Sequence, residues 1–248
     1  VINILTDLKK STETFASVAE RYHISPTSAA SIFDEHVQIS RHTLPEMINF
    51  DEVYAFRTKT SKFVCVLLDY QKQTPIDVLD SRHKSYLQSY FGNISIEERK
   101  KARYCCSDMY TTYRDIVHIY FPNSTHCVDH YHMIQELNRK VDDVRIRIMK
   151  KYGTASDEYY MLKKFKNSFI IVDYEYKVDK DTGRVAVQPK KMNNAIIENK
   201  NSIIKTIKKN ANGYTNWNRF RNRIMYVLDP EATFRAEPLS LSKSKSSQ

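Results

Sequence analysis

What most limits the fold of this chain is the order of its β-like and helix-like runs. Three β-like stretches, INFDEVYAFRTK, KFVCVLLDYQ and PIDVLDSR, follow one another with short polar connections, the spacing of an antiparallel meander. After them, each new strand arrives through a helix. A helical run covers Lys84 to Phe91, and ARYCCSDMY reads as a fourth strand. TTYRDIVHIYFP is an amphipathic helix closed by Pro122, STHCVDHYH a fifth strand, and HMIQELNRKVDDVRIRIMKKY a long basic helix. Strands joined through a helix have room to cross over and lie parallel. The predicted fold class is α/β: a mixed sheet with helices flanking it.

The regions on either side carry different patterns. Residues Val1 to Lys10 repeat apolar side chains at helical spacing. Phe15, Val18, Ala19 and Tyr22 make one helical face, and His23-Ile24-Ser25 makes a turn. Ser25 or Thr27 can cap a second helix with Pro26 in its first turn, and that helix carries Ala29, Ala30, Ile32 and Phe33. Two short helices with small Ala19 at the point of approach outline a helix-turn-helix, and equally an ordinary helical hairpin. SRHTLPEMIN is a linker broken by Pro45. Beyond Tyr152, SFIIVDYEYKV and GRVAVQ read as two strands around the turn DKDTG. The tail PLSLSKSKSSQ is poor in hydrophobes and is expected to be disordered. The expected domains are a helical module with linker at 1–45, an α/β domain at 46–232, and the tail at 233–248.

The last periodic stretch, Asn193 to Arg223, reads as a helix, a stop at Gly213 and a second, basic helix. At about 100° per residue, Ile196, Ile197, Ile203, Ile204, Ile207 and Ala211 share one face. Glu198, Lys205 and Lys209 fall roughly opposite, with Asn201, Ser202 and Lys208 beside them. One carboxylate on a Lys-rich face is either a solvated charge or an acid delivered to a site beside a polyanion.

Charge favours a polyanionic partner. Lys and Arg number 39 against 29 Asp and Glu, a net charge of +10, and such an excess points to nucleic acid unless it serves solubility alone. The densest basic run is Lys200, Lys205, Lys208 and Lys209 with Arg219, Arg221 and Arg223. A second run is Arg139, Lys140, Arg145, Arg147, Lys150 and Lys151 on the long helix. As phosphate contacts they would set affinity and salt dependence without reading sequence; otherwise they are solvated helix faces. The four cysteines show no C-x-x-C spacing and read as reduced core residues of a cytosolic protein. No apolar run is long enough for a membrane span and no signal-peptide pattern is present. The first residue is Val in place of Met, which leaves room for sequence upstream.

Two aspartates stand out by position. Asp51 lies inside the first strand, facing with Val53 and Ala55, while its neighbour Glu52 faces the other way. Asp108 ends the fourth strand, where open α/β sheets place ligands, and where a helix N-cap would also sit. If the two strands are neighbours both carboxylates converge, with Glu198 as a third. Three carboxylates suit hard divalent cations that leave positions for water and phosphate. Asp129 ends a strand and His132 opens a helix, which fits positioning or DNA-contacting residues better than a metal set.

The segments INFDEVYAF, CCSDMYTTYRD, FPNSTHCVDHYHMIQELNRKVDDVR and AIIENKNSIIKTIKKNANGYTNWNRFRNRI resemble the ISL-three (ISL3) family of insertion-sequence transposases, DDE enzymes with a ribonuclease-H-like core. The resemblance runs from Ile48 to Val227, and its Asp-Met-x-x-x-Tyr-Arg and Val-Asp-x-x-His blocks are specific. It implies a catalytic, metal-binding triad of Asp51, Asp108 and Glu198, with two Mg²⁺ or Mn²⁺ ions. It places Asp129 and His132 in the Val-Asp-x-x-His block, where a supporting role behind the ligands is the alternative to positioning or DNA contact. It implies double-stranded DNA as partner, at transposon ends and target, a dimer or larger assembly on DNA, and a bacterial cytoplasmic, nucleoid-associated setting. It favours the helix-turn-helix reading of Phe15 to Phe33. Two family features are missing: a cysteine-rich zinc module before the helix-turn-helix, and most of the helical insertion between the second Asp and the Glu, which looks cut near Leu162 to Ser168. A truncated family member of this kind is expected to be a transposase or, alternatively, an inactive remnant that only binds DNA. A ribonuclease-H-like nuclease is the third reading.

Overall fold

A computed structural model describes residues 1–56, 61–166, 174–178, 185–189, 195–211 and 213–240; of 130–131, 174–178, 185–189 and 195–198 it describes the backbone alone. In chain order the elements are α1 (Ile2–Leu8), α2 (Phe15–Arg21), α3 (Pro26–His36), β1 (Met47–Val53), β2 (Val64–Asp69), β3 (Thr74–Leu79), α4 (Lys84–Gly92) and α5 (Ile96–Arg99). There follow β4 (Tyr104–Ser107), α6 (Thr111–Tyr120), β5 (Thr125–Val128), α7 (His130–Met149), α8 (Asp157–Lys164), β6 (Tyr174–Val178), β7 (Val185–Pro189), α9 (Ala195–Asn210) and α10 (Trp217–Leu228).

β1 to β5 form one sheet in the order β3-β2-β1-β4-β5. β1 and β2 pair antiparallel, as do β2 and β3. β4 pairs with β1 in parallel, as a strand reached through helices should. Side-chain alternation gives the sheet two apolar faces. Ile48 and Phe50 pack with Leu87 and Phe91 of α4 and with Tyr113, Ile116 and Val117 of α6. Val53, Val64, Val66 and Val78 pack on the other face with Ile204 of α9 and Phe220, Ile224 and Met225 of α10. β2 is buried along its whole length, which explains its unbroken apolar run. A mixed sheet of this order with helices on both faces is a ribonuclease-H-like arrangement.

The N-terminal helices carry the expected caps. Ser25 accepts from the Ser28 N–H with Pro26 at the first turn of α3, and Thr14 and Ser17 make a reciprocal capping box on α2. His23 turns the chain between α2 and α3 at φ 54°. Leu5, Leu8, Val18, Phe33 and Val37 then close around Tyr226 of α10. Residues 233–240, read from sequence as the start of a disordered tail, dock on α3. Phe234 packs on that cluster, and the Arg235 N–H donates to the His36 carbonyl at 2.8 Å. Positions 241–248 lie outside the described residues.

The chain divides into two compact units, Val1–Cys127 with Ala195–Gln248, and Val128–Asn194. Within the second unit, Arg145 ties α7 to α8 by donating to the Leu162 carbonyl at 2.8 Å. β6 and β7 pair antiparallel there as the sequence suggested, and their turn DKDTG lies outside the described residues. α5 and α8 were not expected from the sequence.

Candidate active site

β1 and β4 run parallel in the register Met47↔Tyr104, Ile48↔Cys105, Asn49↔Cys106. Carried two residues further, that register sets Asp51 opposite Asp108, one residue beyond the end of β4. Adjacent strands lie roughly 5 Å apart, and equal parity puts both side chains on the same face of the sheet. That face is the one covered by α9 and α10.

α9 is fastened to this face at Asp51. The Asn201 amide Nδ2 donates to Asp51 Oδ2 at 2.5 Å. Seven residues on, the Lys208 ammonium sits 4.6 Å from the centre of the Tyr54 ring. Seven residues of helix and three of strand each span roughly 10 Å, so α9 runs alongside β1. Asn201 is only 8% exposed, although the helical wheel had placed it beside the polar face. Its Oδ1 is buried and has no hydrogen-bond partner among the described residues. Glu198 lies on α9 three positions before Asn201, one helical turn away; its side chain lies outside the described residues.

The neighbouring groups have partners of their own. Glu52, on the opposite face from Asp51, is taken by an ion pair with Arg82. The Arg82 guanidinium lies 4.9 Å from the Tyr110 ring. Asp108 Oδ1 accepts from the Tyr110 N–H at 2.9 Å, so it also turns the chain into α6. Ser107 Oγ donates to the Asp108 carbonyl at 2.8 Å and lies 2.9 Å from His126 Nε2. Burial, together with nearby His118 and Arg114, lowers the His126 pKa, so the ring is neutral at pH 7. Asn201, Arg82 and His126 escaped the sequence reading. Only Asn201 left a signal, its spacing of three from both Glu198 and Ile204.

The basic residues divide sharply. Lys205 and Lys209 are exposed, and Lys200 and Lys208 half-buried. The three arginines of α10 face protein. Arg219 forks onto Asp34 of α3, with Nη2 at 2.6 Å. Arg221 meets the buried Asp77 of β3 at 2.7 Å from Nε and also donates to the Ile39 carbonyl. Arg223 is 1% exposed, and its Nη2 donates to the Lys10 and Glu13 carbonyls at 2.9 and 2.8 Å. Asp129 and His132 belong to the second unit: the Asp129 carbonyl accepts from the Met133 N–H at 3.1 Å, and His132 lies in the first turn of α7.

A cavity of about 660 Å³ opens elsewhere, between the 42–46 linker, the β2–β3 turn and Asp229 to Glu231. Its acids have structural work: Asp69 accepts from the Gln71 and Lys72 N–H groups of the turn, and Asp229 meets His42 at 2.9 Å.

Among the described residues no helix is long and apolar enough to cross a membrane. A search of curated proteins gives no match. The model of the ISL3 family of DDE transposases, described as Transposase, matches residues 48–181 and 178–224. Those stretches contain β1 from Ile48 onward, β4 and α9, and with them Asp51, Asp108 and Asn201, and they cover well over half of the chain. The chain therefore belongs to the ISL3 family of transposases.

Proposed function

We propose that Asp51, Asp108 and Glu198 are the carboxylate triad of this transposase, cutting DNA at insertion-sequence ends and joining the freed 3′-hydroxyl to target DNA. The observation that carries this reading is the register of β1 and β4, which aligns the two aspartates, with α9 bonded to Asp51 one turn from Glu198. No group of three His, Cys, Asp or Glu able to hold a metal occurs among the described residues, and the third carboxylate proposed here is Glu198. The residues fit a hard cation: carboxylates plus the buried Asn201 Oδ1, unpartnered among the described residues, make an all-oxygen donor set. Bound there, Mg²⁺ or Mn²⁺ as a pair would polarise the scissile phosphate and activate the attacking oxygen, which is water or a DNA 3′-hydroxyl.

The protein's own part is to hold these oxygens still and to seat the DNA backbone. Asn201 fixes the angle of Asp51, and Tyr110 N–H fixes that of Asp108. Lys200, Lys205, Lys208 and Lys209 lie along the same helix as Glu198, where phosphates would pass. The arginines of α10 are assigned no DNA contact, because they are engaged within the fold. Two ends must be cut and joined together, so the working form on DNA is a dimer or larger. Cysteines that form no disulfide among the described residues suit a reducing cytosolic setting close to the nucleoid.

The test is cleavage of a duplex bearing the element's end, with Mg²⁺ or Mn²⁺ against chelator. Wild type should nick only with metal, and Asp108→Asn should lose nicking while keeping DNA affinity. A wild-type chain that binds ends and never cuts them would establish a DNA-binding remnant instead. Preferential cleavage of RNA–DNA hybrid would identify a ribonuclease-H-like nuclease.

A further inference from the structure

We infer that Asn201 is a working part of the carboxylate site: it positions Asp51 through Nδ2 and offers Oδ1 to the bound cation, directly or through a water. This rests on the carboxylate triad proposed above. The direction of the amide follows from chemistry. An ionised carboxylate can only accept, so the group 2.5 Å from Asp51 Oδ2 must be the donor end of the amide. The carbonyl end is thereby the one not bonded to Asp51. It is buried and finds no hydrogen-bond donor among the described residues, and a buried amide oxygen left without a partner is destabilising because its desolvation is not repaid.

A purely structural asparagine would not be expected in that state. A helix could be pinned to a strand by a side chain that satisfies both ends, or by an apolar contact like that of Ile204 on the same helix. An unsatisfied hard oxygen adjoining an aspartate is instead what a divalent cation or its water shell uses. The spacing strengthens the inference. Asn201 is one turn from Glu198 on α9, and its own amide reaches Asp51, which the β1–β4 register, carried two residues past its last pair, sets across from Asp108.

The experiment is Mn²⁺ binding to the DNA-free protein by titration calorimetry, alongside thermal melting with and without Mn²⁺. Asn201→Ala should weaken Mn²⁺ binding about 10- to 100-fold, the range seen when residues that orient metal ligands are removed. Asn201→Asp retains the size and adds a carboxylate beside Asp51. Without metal it should melt lower than wild type, and Mn²⁺ should raise its melting temperature by more than it raises that of wild type. If both variants melt lower yet bind Mn²⁺ as wild type does, Asn201 is only a structural pin and the inference is overturned. A measurement on unmodified protein guards against a variant that does not fold. In ¹⁵N-asparagine-labelled wild type, sub-stoichiometric Mn²⁺ should broaden one buried side-chain amide pair, the one with a nuclear Overhauser contact to Asp51. An unaffected pair also overturns the inference. The triad fails separately: wild type that binds no Mn²⁺, or Asp108→Asn that binds it unchanged, removes the carboxylate site itself and Asn201's role with it.

Discussion

α9 and α10 are consecutive helices with nearly the same sequence character, and they use their cations in opposite ways. α9 carries lysines, and Lys205 and Lys209 stay in solvent while Asn201 and Ile204 face the sheet. α10 carries arginines, and Arg219, Arg221 and Arg223 reach Asp34, Asp77 and two loop carbonyls. The difference follows from the head groups. A guanidinium is planar, weakly hydrated and rich in donors, so it can be desolvated if carboxylates or carbonyls meet its fork. An ammonium keeps its water better and stays at the surface. A basic run is therefore two separate quantities: charge offered to a partner, and charge spent inside the fold.

The largest break in this comparison should come at Arg221. Arg221→Met removes the counter-ion of the Asp77 carboxylate, 4% exposed and left, among the described residues, with the Tyr90 hydroxyl and Val78 N–H alone, and should cost about 3–5 kcal/mol in urea unfolding, as removal of one partner from a buried pair does. Adding Asp77→Asn should recover at least about 1 kcal/mol, since the two effects share one interaction. A loss below about 0.5 kcal/mol for Arg221→Met, the range of ordinary surface changes, would mean that this arginine is free for DNA after all. Arg223→Met comes next. It removes two hydrogen bonds from a charged donor to the carbonyls of Lys10 and Glu13, at roughly 2–3 kcal/mol in total once the side chain's apolar part is kept. Limited proteolysis should then cut first near Lys10, because α1 and α2 lose their anchor to α10. The smallest effect on stability belongs to Lys205→Ala with Lys209→Ala, within about 0.5 kcal/mol. The same pair should lower the slope of log K against log salt for duplex DNA by about 1.8, at about 0.9 per phosphate contact. Arg221→Met, tested where it is still folded, should leave that slope unchanged.

Local chemistry explains what could be read in advance. The meander β1 to β3, the Ser25 cap with Pro26, and the helical crossover to β4 each depend on residues within a few positions of one another. The alternation that separates Asp51 from Glu52 is also local, and it holds: one meets α9 and the other Arg82. α5 and α8 were missed because IEER and DEYYMLKK are too short and too polar to show a periodic apolar face. The burial of Asn201 was invisible for a different reason. Its polarity argued for the solvent face, and the group that reverses this, Asp51, lies 150 residues away in sequence. The same holds for Arg219 and Arg223, whose partners are 185 and 213 residues distant. Sequence periodicity ranks faces by average polarity, and cannot see a single distant carboxylate that makes a polar face the inner one.

The first unit is assembled from two separated stretches of chain, and that has a consequence for its synthesis. β1, β2 and β3 leave the ribosome early, but the side of the sheet formed by Val53, Val64, Val66 and Val78 is covered by α9 and α10, which are made last. At 5–20 residues per second, the interval between β3 and the end of α10 is on the order of ten seconds. Through that time the nascent chain carries a bare valine surface, a natural substrate for holding chaperones, while its aspartates lack the helix that completes their surroundings. The surroundings of Asp51 are thus completed only after α9 has been made, so a stalled or prematurely ended chain is an aggregation hazard.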